Sequence, residues 1–203
     1  MLQSFYKQFG NPRGVLGELA GLILAKKNVE RITWLISEMK IKPDDKILEI
    51  GFGPGVAIKN ISPRLTTGSI TGIDISEVML KQAAKRNAGA IQKGKVRLLT
   101  GSLDNLSADE KFDKIFGMNV HIFWKNPVEE LKKLKNLLKD YGELTLALQP
   151  RFAKTEGMVL EEAEKTKNYF HKAGLKIVND STLPLKPQSV FRVTGIAVKN
   201  SDN

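Results

Sequence analysis

The residues best suited to chemistry fall in one short segment, Lys46-Ile-Leu-Glu-Ile-Gly-Phe-Gly-Pro-Gly-Val56. Glu49 stands late in an otherwise apolar run, where a buried carboxylate is costly unless a cation or hydrogen-bond donors meet it. Gly51 and Gly53 follow; lacking a Cβ, they admit positive φ angles and let a ligand approach the backbone. Pro54 suits the first turn of a helix, where its missing N–H costs nothing. The segment predicts a strand, a glycine bend and a helix, with an acid placed to meet positive charge. Two common alternatives fail. Val56 stands where the dinucleotide fingerprint needs glycine, and the Gly-Lys-Ser/Thr of phosphate loops is absent. A second acid, Asp74, closes Ser69-Ile-Thr-Gly-Ile-Asp74, 23 residues after Gly51. That is near the roughly 20-residue offset at which a carboxylate reaches ribose hydroxyls. The plainer role for Asp74 is a cap on the helix beginning near Glu77. Further on, Phe116-Gly-Met-Asn-Val-His-Ile-Phe-Trp-Lys-Asn-Pro127 holds His121. Its unperturbed pKa, about 6.5, suits proton transfer at neutral pH. The competing role is packing of His121 and Trp124 under the next helix.

These residues need a scaffold. Candidate strands are 46–50, 69–74, 95–100, 113–118, 142–148, 175–180 and 189–198. Helical periodicity or a single helical turn separates the first five, over 56–65, 77–90, 103–106 and 127–138. Such alternation implies a parallel sheet covered by helices. The link 181–187 holds two prolines and is too short for a helical crossover, so the last two strands should pair antiparallel. About 45 residues precede the first strand. Leu2, Phe5, Tyr6 and Phe9 lie on one face of a short amphipathic helix, and 15–39 reads as one or two more helices with Ile32, Leu35, Ile36 and Met39 on a stripe. Residues 1–42 are thus expected as a helical extension, acting as a lid or core contact or lying on a membrane surface. Residues 43–203 form the main body, within one structural domain.

Composition removes several function classes. The chain of 203 residues has no cysteine, hence no disulfide, thiolate nucleophile or iron–sulfur ligand, and only two histidines, His121 and His171. No apolar run approaches the roughly 20 residues of a bilayer span, and no secretion signal opens the chain. A cytoplasmic protein is expected. Net charge is +10, with 18 Lys/Arg against 12 Asp/Glu over 1–124 and 14 against 10 over 125–203. The densest group, Lys132, Lys133, Lys135 and Lys139, falls on the expected 127–138 helix and its end, and reads as a solvated face rather than an RNA or membrane patch.

Taken together, Glu49-Ile-Gly-Phe-Gly-Pro-Gly55, Asp74 and the strand pattern resemble the class I S-adenosylmethionine (SAM)-dependent methyltransferases, over about residues 43–198. The glycine segment matches their E/D-x-G-x-G-x-G motif fully. The resemblance implies an α/β doubly wound, mostly parallel seven-stranded sheet of order 3-2-1-4-5-7-6 with the last strand antiparallel. It also implies that Glu49, Gly51, Gly53 and Gly55 line the methionine part of SAM, Asp74 the ribose and Ile75 the adenine, with Phe52 also among the cofactor-binding residues. An acid is usual after the third strand, toward adenine; here Ser102 occupies its place, followed by Leu103, and either Ser102 itself or Asp104 makes that contact. Met118 and Asn119 would line the SAM pocket. Phe123 and Trp124, with His121 as the candidate base, would face the acceptor, as would Phe5, Tyr6 and Phe9.

The implied reaction is in-line transfer of a methyl group from SAM, leaving S-adenosylhomocysteine (SAH), to a small-molecule or lipid-like acceptor, with alignment and desolvation as the main catalytic devices. Residues 114–128 contain no Asp or Glu, so no metal is expected, and Met118-Asn-Val-His121 lacks the double proline of base-amino methyltransferases. The alternatives are an RNA methyltransferase, favoured by the basic pI, and a non-catalytic SAM-binding protein. Nucleic acid is a disfavoured partner, and the expected state is monomer or homodimer.

Overall fold

The computed structural model describes residues 29–197. Phe5, Tyr6 and Phe9 lie outside the described residues, so their expected place in an acceptor pocket belongs to the sequence alone. The chain divides into two compact units, Met1–Leu106 and Ser107–Asn203. The seven strands, residues 46–50, 69–74, 96–100, 112–118, 138–148, 175–183 and 190–197 in chain order (β1 to β7), lie in the sheet order β3-β2-β1-β4-β5-β7-β6.

In the first unit, α1 (Val29–Glu38) carries the expected stripe, with Leu35 and Ile36 buried and Met39 just beyond. Three parallel strands follow: β1 (Lys46–Ile50), β2 (Ser69–Asp74) and β3 (Val96–Thr100). Between them run α2 (Val56–Ile61) and α3 (Glu77–Gln92). The expected 56–65 helix stops at Ile61, and Ser62–Arg64, with Pro63 in its first turn, continues as a 3-10 turn. Ile47, Leu48, Ile58, Ile61, Leu65, Ile70 and Ile73 are almost fully buried. Each contributes about 1.5–3 kcal/mol of hydrophobic stabilisation. This core holds the carboxyl ends of β1 and β2 in fixed register, with Glu49 opposite Gly72 and Ile50 opposite Ile73.

In the second unit, β4 (Phe112–Met118) pairs parallel with β5 (Leu138–Leu148). β7 (Val190–Ala197) lies antiparallel to both β5 and β6 (Leu175–Leu183), as the short link requires. The helix α4 (Pro127–Asn136) ends two residues before the expected Leu138, and β5 starts four residues before the expected Gly142. The reason is a bulge: the β4–β5 register shifts between Phe112 and Lys114, and Tyr141 turns to φ 61°, so that Leu138 still pairs with Phe112. A leucine run cannot reveal by itself where helix gives way to strand. One element goes beyond the expected set. The 17-residue helix α5 (Glu156–Lys172) is capped by Thr155, whose Oγ1 accepts from Met158 N. Its buried stripe is Val159, Ala163, Thr166 and Phe170. Ala and Thr at two of the four positions blur the apolar period.

Candidate functional site

The first unit brings both sequence-identified acids to one place. Glu49, at the end of β1, is 6% exposed, and its Oε2 is buried without a hydrogen-bond partner. Burial, reinforced by the negative charge of Asp74, holds its carboxyl well above the usual range. Asp74, at the end of β2, is also pushed up by burial, and the backbone N–H groups of Ser76, Gly53 and Ile75 pull it back down. Its Oδ2 accepts from Gly53 N at 2.8 Å and its Oδ1 from Ser76 N at 2.9 Å. Asp74 therefore fastens the glycine bend. The helix cap is Ser76, whose Oγ accepts from Met79 N. Neither acid has a cationic side chain beside it among the described residues. A buried carboxylate beside a half-buried one, with no counter-charge, sets up a negative potential that an incoming cation would relieve.

The bend itself is shaped from several sides. Gly51 N donates to Ile73 O at 2.7 Å, and Gly55 N to Phe52 O at 2.9 Å. Gly53 has φ +50°, and a Cβ built there meets nothing within 4 Å, so the space over the bend is open. Gly55 differs: its Cβ would lie 2.7 Å from both Ala83 Cβ and Asn87 Nδ2, so glycine is needed there to seat α3. Asn87 is buried and donates to Gly55 O at 3.1 Å and to Ala83 O, and Arg86 donates to Pro54 O. Two side chains of α3 thus hold the carbonyls of the loop. Phe52 turns inward over Gly72, 3% exposed, and forms part of the core. Ile75 projects outward at 55% exposure beside the bend, an apolar face available to a flat ring.

After β3, Gly101 N donates to Asp74 O at 2.9 Å, which draws the next turn toward the same place. There Ser102 and Asn105 cap the 3-10 turn Leu103–Asn105, and Ser102 Oγ donates to Asp104 Oδ2 at 3.2 Å. Ser102 and Asp104 are therefore one exposed polar pair, and Leu103 is buried beneath them. Thr100, opposite Asp74 in the β2–β3 register, has a buried hydroxyl with no partner.

In the second unit the segment after β4 is held by its own contacts. Asn119 takes φ 58°, and its Oδ1 accepts from Gln149 N at 2.8 Å, tying the ends of β4 and β5 together. Met118 is half-buried at the strand end. His121 is 4% exposed, with Nε2 at 3.2 Å from Thr166 Oγ1 on α5. Burial, with a smaller contribution from Lys165, lowers its pKa to about 4, so the ring is neutral at pH 7. Trp124 packs edge-on to it at 6.3 Å. His121 is thus packed, but against α5 rather than under the helix that follows it, and Ile122 and Phe123 stay exposed at 44% and 57%.

Comparison with known proteins matches this arrangement to a family. Residues 47–142, from β1 into β5, fit the family profile described as "Methyltransferase domain". An uncharacterized methyltransferase of Bacillus subtilis (strain 168), YdaC, is 32% identical over 84% of this chain and 93% of its own length. The chain is a class I SAM-dependent methyltransferase. The methyltransferase also aligns with a tRNA U34 carboxymethyltransferase of Aeromonas hydrophila, 33% identical over 49% of this chain and 30% of that protein. Its fold is shared with magnesium protoporphyrin IX methyltransferase (ChlM) of Synechocystis PCC 6803, solved with bound SAM. That match has a TM-score of 0.65 at 16% identity and covers 96% of this chain and 90% of that one.

The first unit of the methyltransferase fits its cofactor on its own chemistry. SAM carries a sulfonium and an α-ammonium, the positive charges that an orphaned Glu49 oxygen lacks, and Gly53 leaves room above the loop. Sequence reasoning missed Arg86, Asn87, Thr100 and Thr166. The first two sit inside a helix reading as solvated, and only the fold shows that they reach the loop. A lone threonine at a strand end carries no motif.

Proposed function

We propose that this methyltransferase binds SAM on the first unit, with Glu49 toward the ammonium, Gly51 and Gly53 along the methionine chain, Asp74 toward the ribose and Ile75 with the Ser102–Asp104 pair toward the adenine. The observation that carries this reading is the buried, partnerless Glu49 oxygen beside the open face of Gly53. When bound, SAM supplies an electrophilic methyl on sulfur, open to in-line attack. The residues of the chain then have three tasks. Glu49 and Asp74 fix the donor by charge and hydrogen bonds. The loop, held by Asp74, Arg86 and Asn87, fixes its direction. The apolar surroundings strip water from the reacting atoms.

The acceptor we propose is a small-molecule or lipid-like compound, methylated without a metal. The exposed apolar side chains Ile122 and Phe123 after β4 support it, as does the lack of acidic residues over 114–128. No side chain is assigned as base, since His121 lies under α5. A second reading, RNA as acceptor, draws on the likeness to a tRNA U34 carboxymethyltransferase and on the excess of lysine and arginine over residues 50–103. The test is radiolabelled methyl transfer from SAM to extracted small molecules, lipids and RNA in parallel. Label in the small-molecule or lipid fraction is the expected result. Label confined to RNA overturns the acceptor class, and no SAH affinity at all overturns the cofactor site.

A further inference from the structure

Positive charge is not uniform over this molecule. Residues 50–103 carry eight Lys/Arg and only two Asp/Glu, Asp74 and Glu77, and none of the acids falls within 78–103. In the second unit six lysines are neutralised by carboxylates: Lys114 by Glu143, Lys132 by Glu129, Lys133 by Glu130, Lys139 by Asp113, Lys165 by Glu162, and Lys167 by Glu164 and Asp180. These include most of the cluster that looked densest in the sequence. In the first unit, Lys59, Lys81, Lys85, Lys93 and Lys95 have no carboxylate partner among the described residues. Three of them, Lys59, Lys93 and Lys95, line a groove of about 280 Å³ with Ser62, Pro63, Gly89 and Ala90. Lys81 and Lys85 stand exposed at i and i+4 on α3, and Lys93 is exposed just past its last residue, leading into the groove. At 1.5 Å per residue that row is about 18 Å long.

We propose that the α3 row and its groove form a docking surface for a nucleic-acid phosphate backbone. Unneutralised like charges in a row raise a potential that a line of anions relieves by releasing its counterions. The five lysines match a linear polyanion, each placed to neutralise one phosphate along a strand that follows α3 into the groove. An anionic bilayer fits less well, because a plane does not reach a concave groove, and Lys95 is recessed there with its Nζ held 2.5 Å from Leu65 O. No aromatic side chain lines the groove, so binding is to the backbone and carries no base preference. The surface goes beyond the acceptor reading above, since a backbone can be held on the first unit whether or not it carries the methylated atom.

The experiment measures fluorescence anisotropy of a labelled single-stranded RNA of mixed sequence against salt, with SAH affinity measured on the same preparations. With five phosphates neutralised, log K should fall with log salt at a slope near −3.5, about a hundredfold between 50 and 200 mM. The triple variant K59Q/K85Q/K93Q should bind with a slope near −1.4, losing only about sevenfold over the same range, and keep its SAH affinity. K132Q/K133Q/K167Q, which removes neutralised lysines, should keep the wild-type slope. Equal slopes for the wild type and the first triple overturn the proposal. So does an absence of RNA binding, and so does binding confined to phosphatidylglycerol vesicles, which would make the surface a membrane contact. Loss of SAH affinity in all preparations would instead count against the cofactor reading.

Discussion

Replacing Glu49 by Gln tests the cofactor site where its physics is most exposed. The substitution keeps the shape and removes the charge. In the ligand-free protein Glu49 is a liability, because its raised pKa means that the folded state holds the proton more tightly than the unfolded one. The sign follows: its contribution to stability is fully present below the unfolded value, about 4.3, and is lost as pH rises through the folded-state value. Glutamine cannot lose that contribution. Ligand-free E49Q should therefore melt at or above the wild type at pH 8, and the difference should shrink toward pH 4.5. For a chain of this size each 1 kcal/mol moves the melting temperature by about 2–4 °C. Binding should change in the opposite direction. Loss of a charge-assisted hydrogen bond of about 1.5–3 kcal/mol weakens SAM about 10- to 150-fold. Wild-type affinity should also rise with pH as Glu49 ionises, and that of E49Q should not. Scanning fluorimetry and titration calorimetry between pH 4.5 and 8 read both effects. A variant that melts lower than wild type at every pH and binds SAM as tightly would refute the reasoning and make Glu49 structural.

Two glycines two residues apart should behave oppositely. Gly53→Ala adds a Cβ into open space at φ +50°, with strain of about 1–2 kcal/mol. It should cost SAH affinity far more than stability, by calorimetry against urea unfolding. Gly55→Ala drives a Cβ into Ala83 and Asn87 and should destabilise the fold even without ligand; equal behaviour of the two would show that the loop is misassigned. His121 gives a pH test. Its folded-state pKa of about 4 lies below the unfolded value, so its contribution is present above about 6.5 and is lost as pH falls toward 4, by up to about 3 kcal/mol. H121F should flatten unfolding free energy between pH 7 and 4.5 and leave the pH profile of kcat unchanged; a shifted kcat profile would return His121 to the chemistry.

Much of this was legible in the residues. The strands themselves, the antiparallel last pair, the acid before the glycines and the acid ending β2 follow from local pattern, because apolar runs, glycine spacing and link lengths leave few arrangements open; the order of the strands followed only from the family resemblance. What was illegible depends on contacts across the chain. Asp74 reads as a ribose ligand or a helix cap, yet it also holds Gly53 N. Gly55 reads as part of a ligand loop, yet its constraint comes from Asn87, 32 residues on. The boundary between α4 and β5 hides in four leucines, and α5 hides behind an alanine and a threonine. Lysine density misled for a related reason: a count along the chain does not see which carboxylate answers each ammonium.

The fastening of the glycine loop has a consequence for how fast the donor can be captured. Asp74 grips one amide of the bend, while Arg86 and Asn87 grip two of its carbonyls. A receptor already in its bound shape spends little conformational entropy at the moment of encounter. Capture kinetics should then be a single concentration-proportional phase, with no slow isomerisation following it, and cutting any one of the three tethers should slow arrival as well as hasten departure.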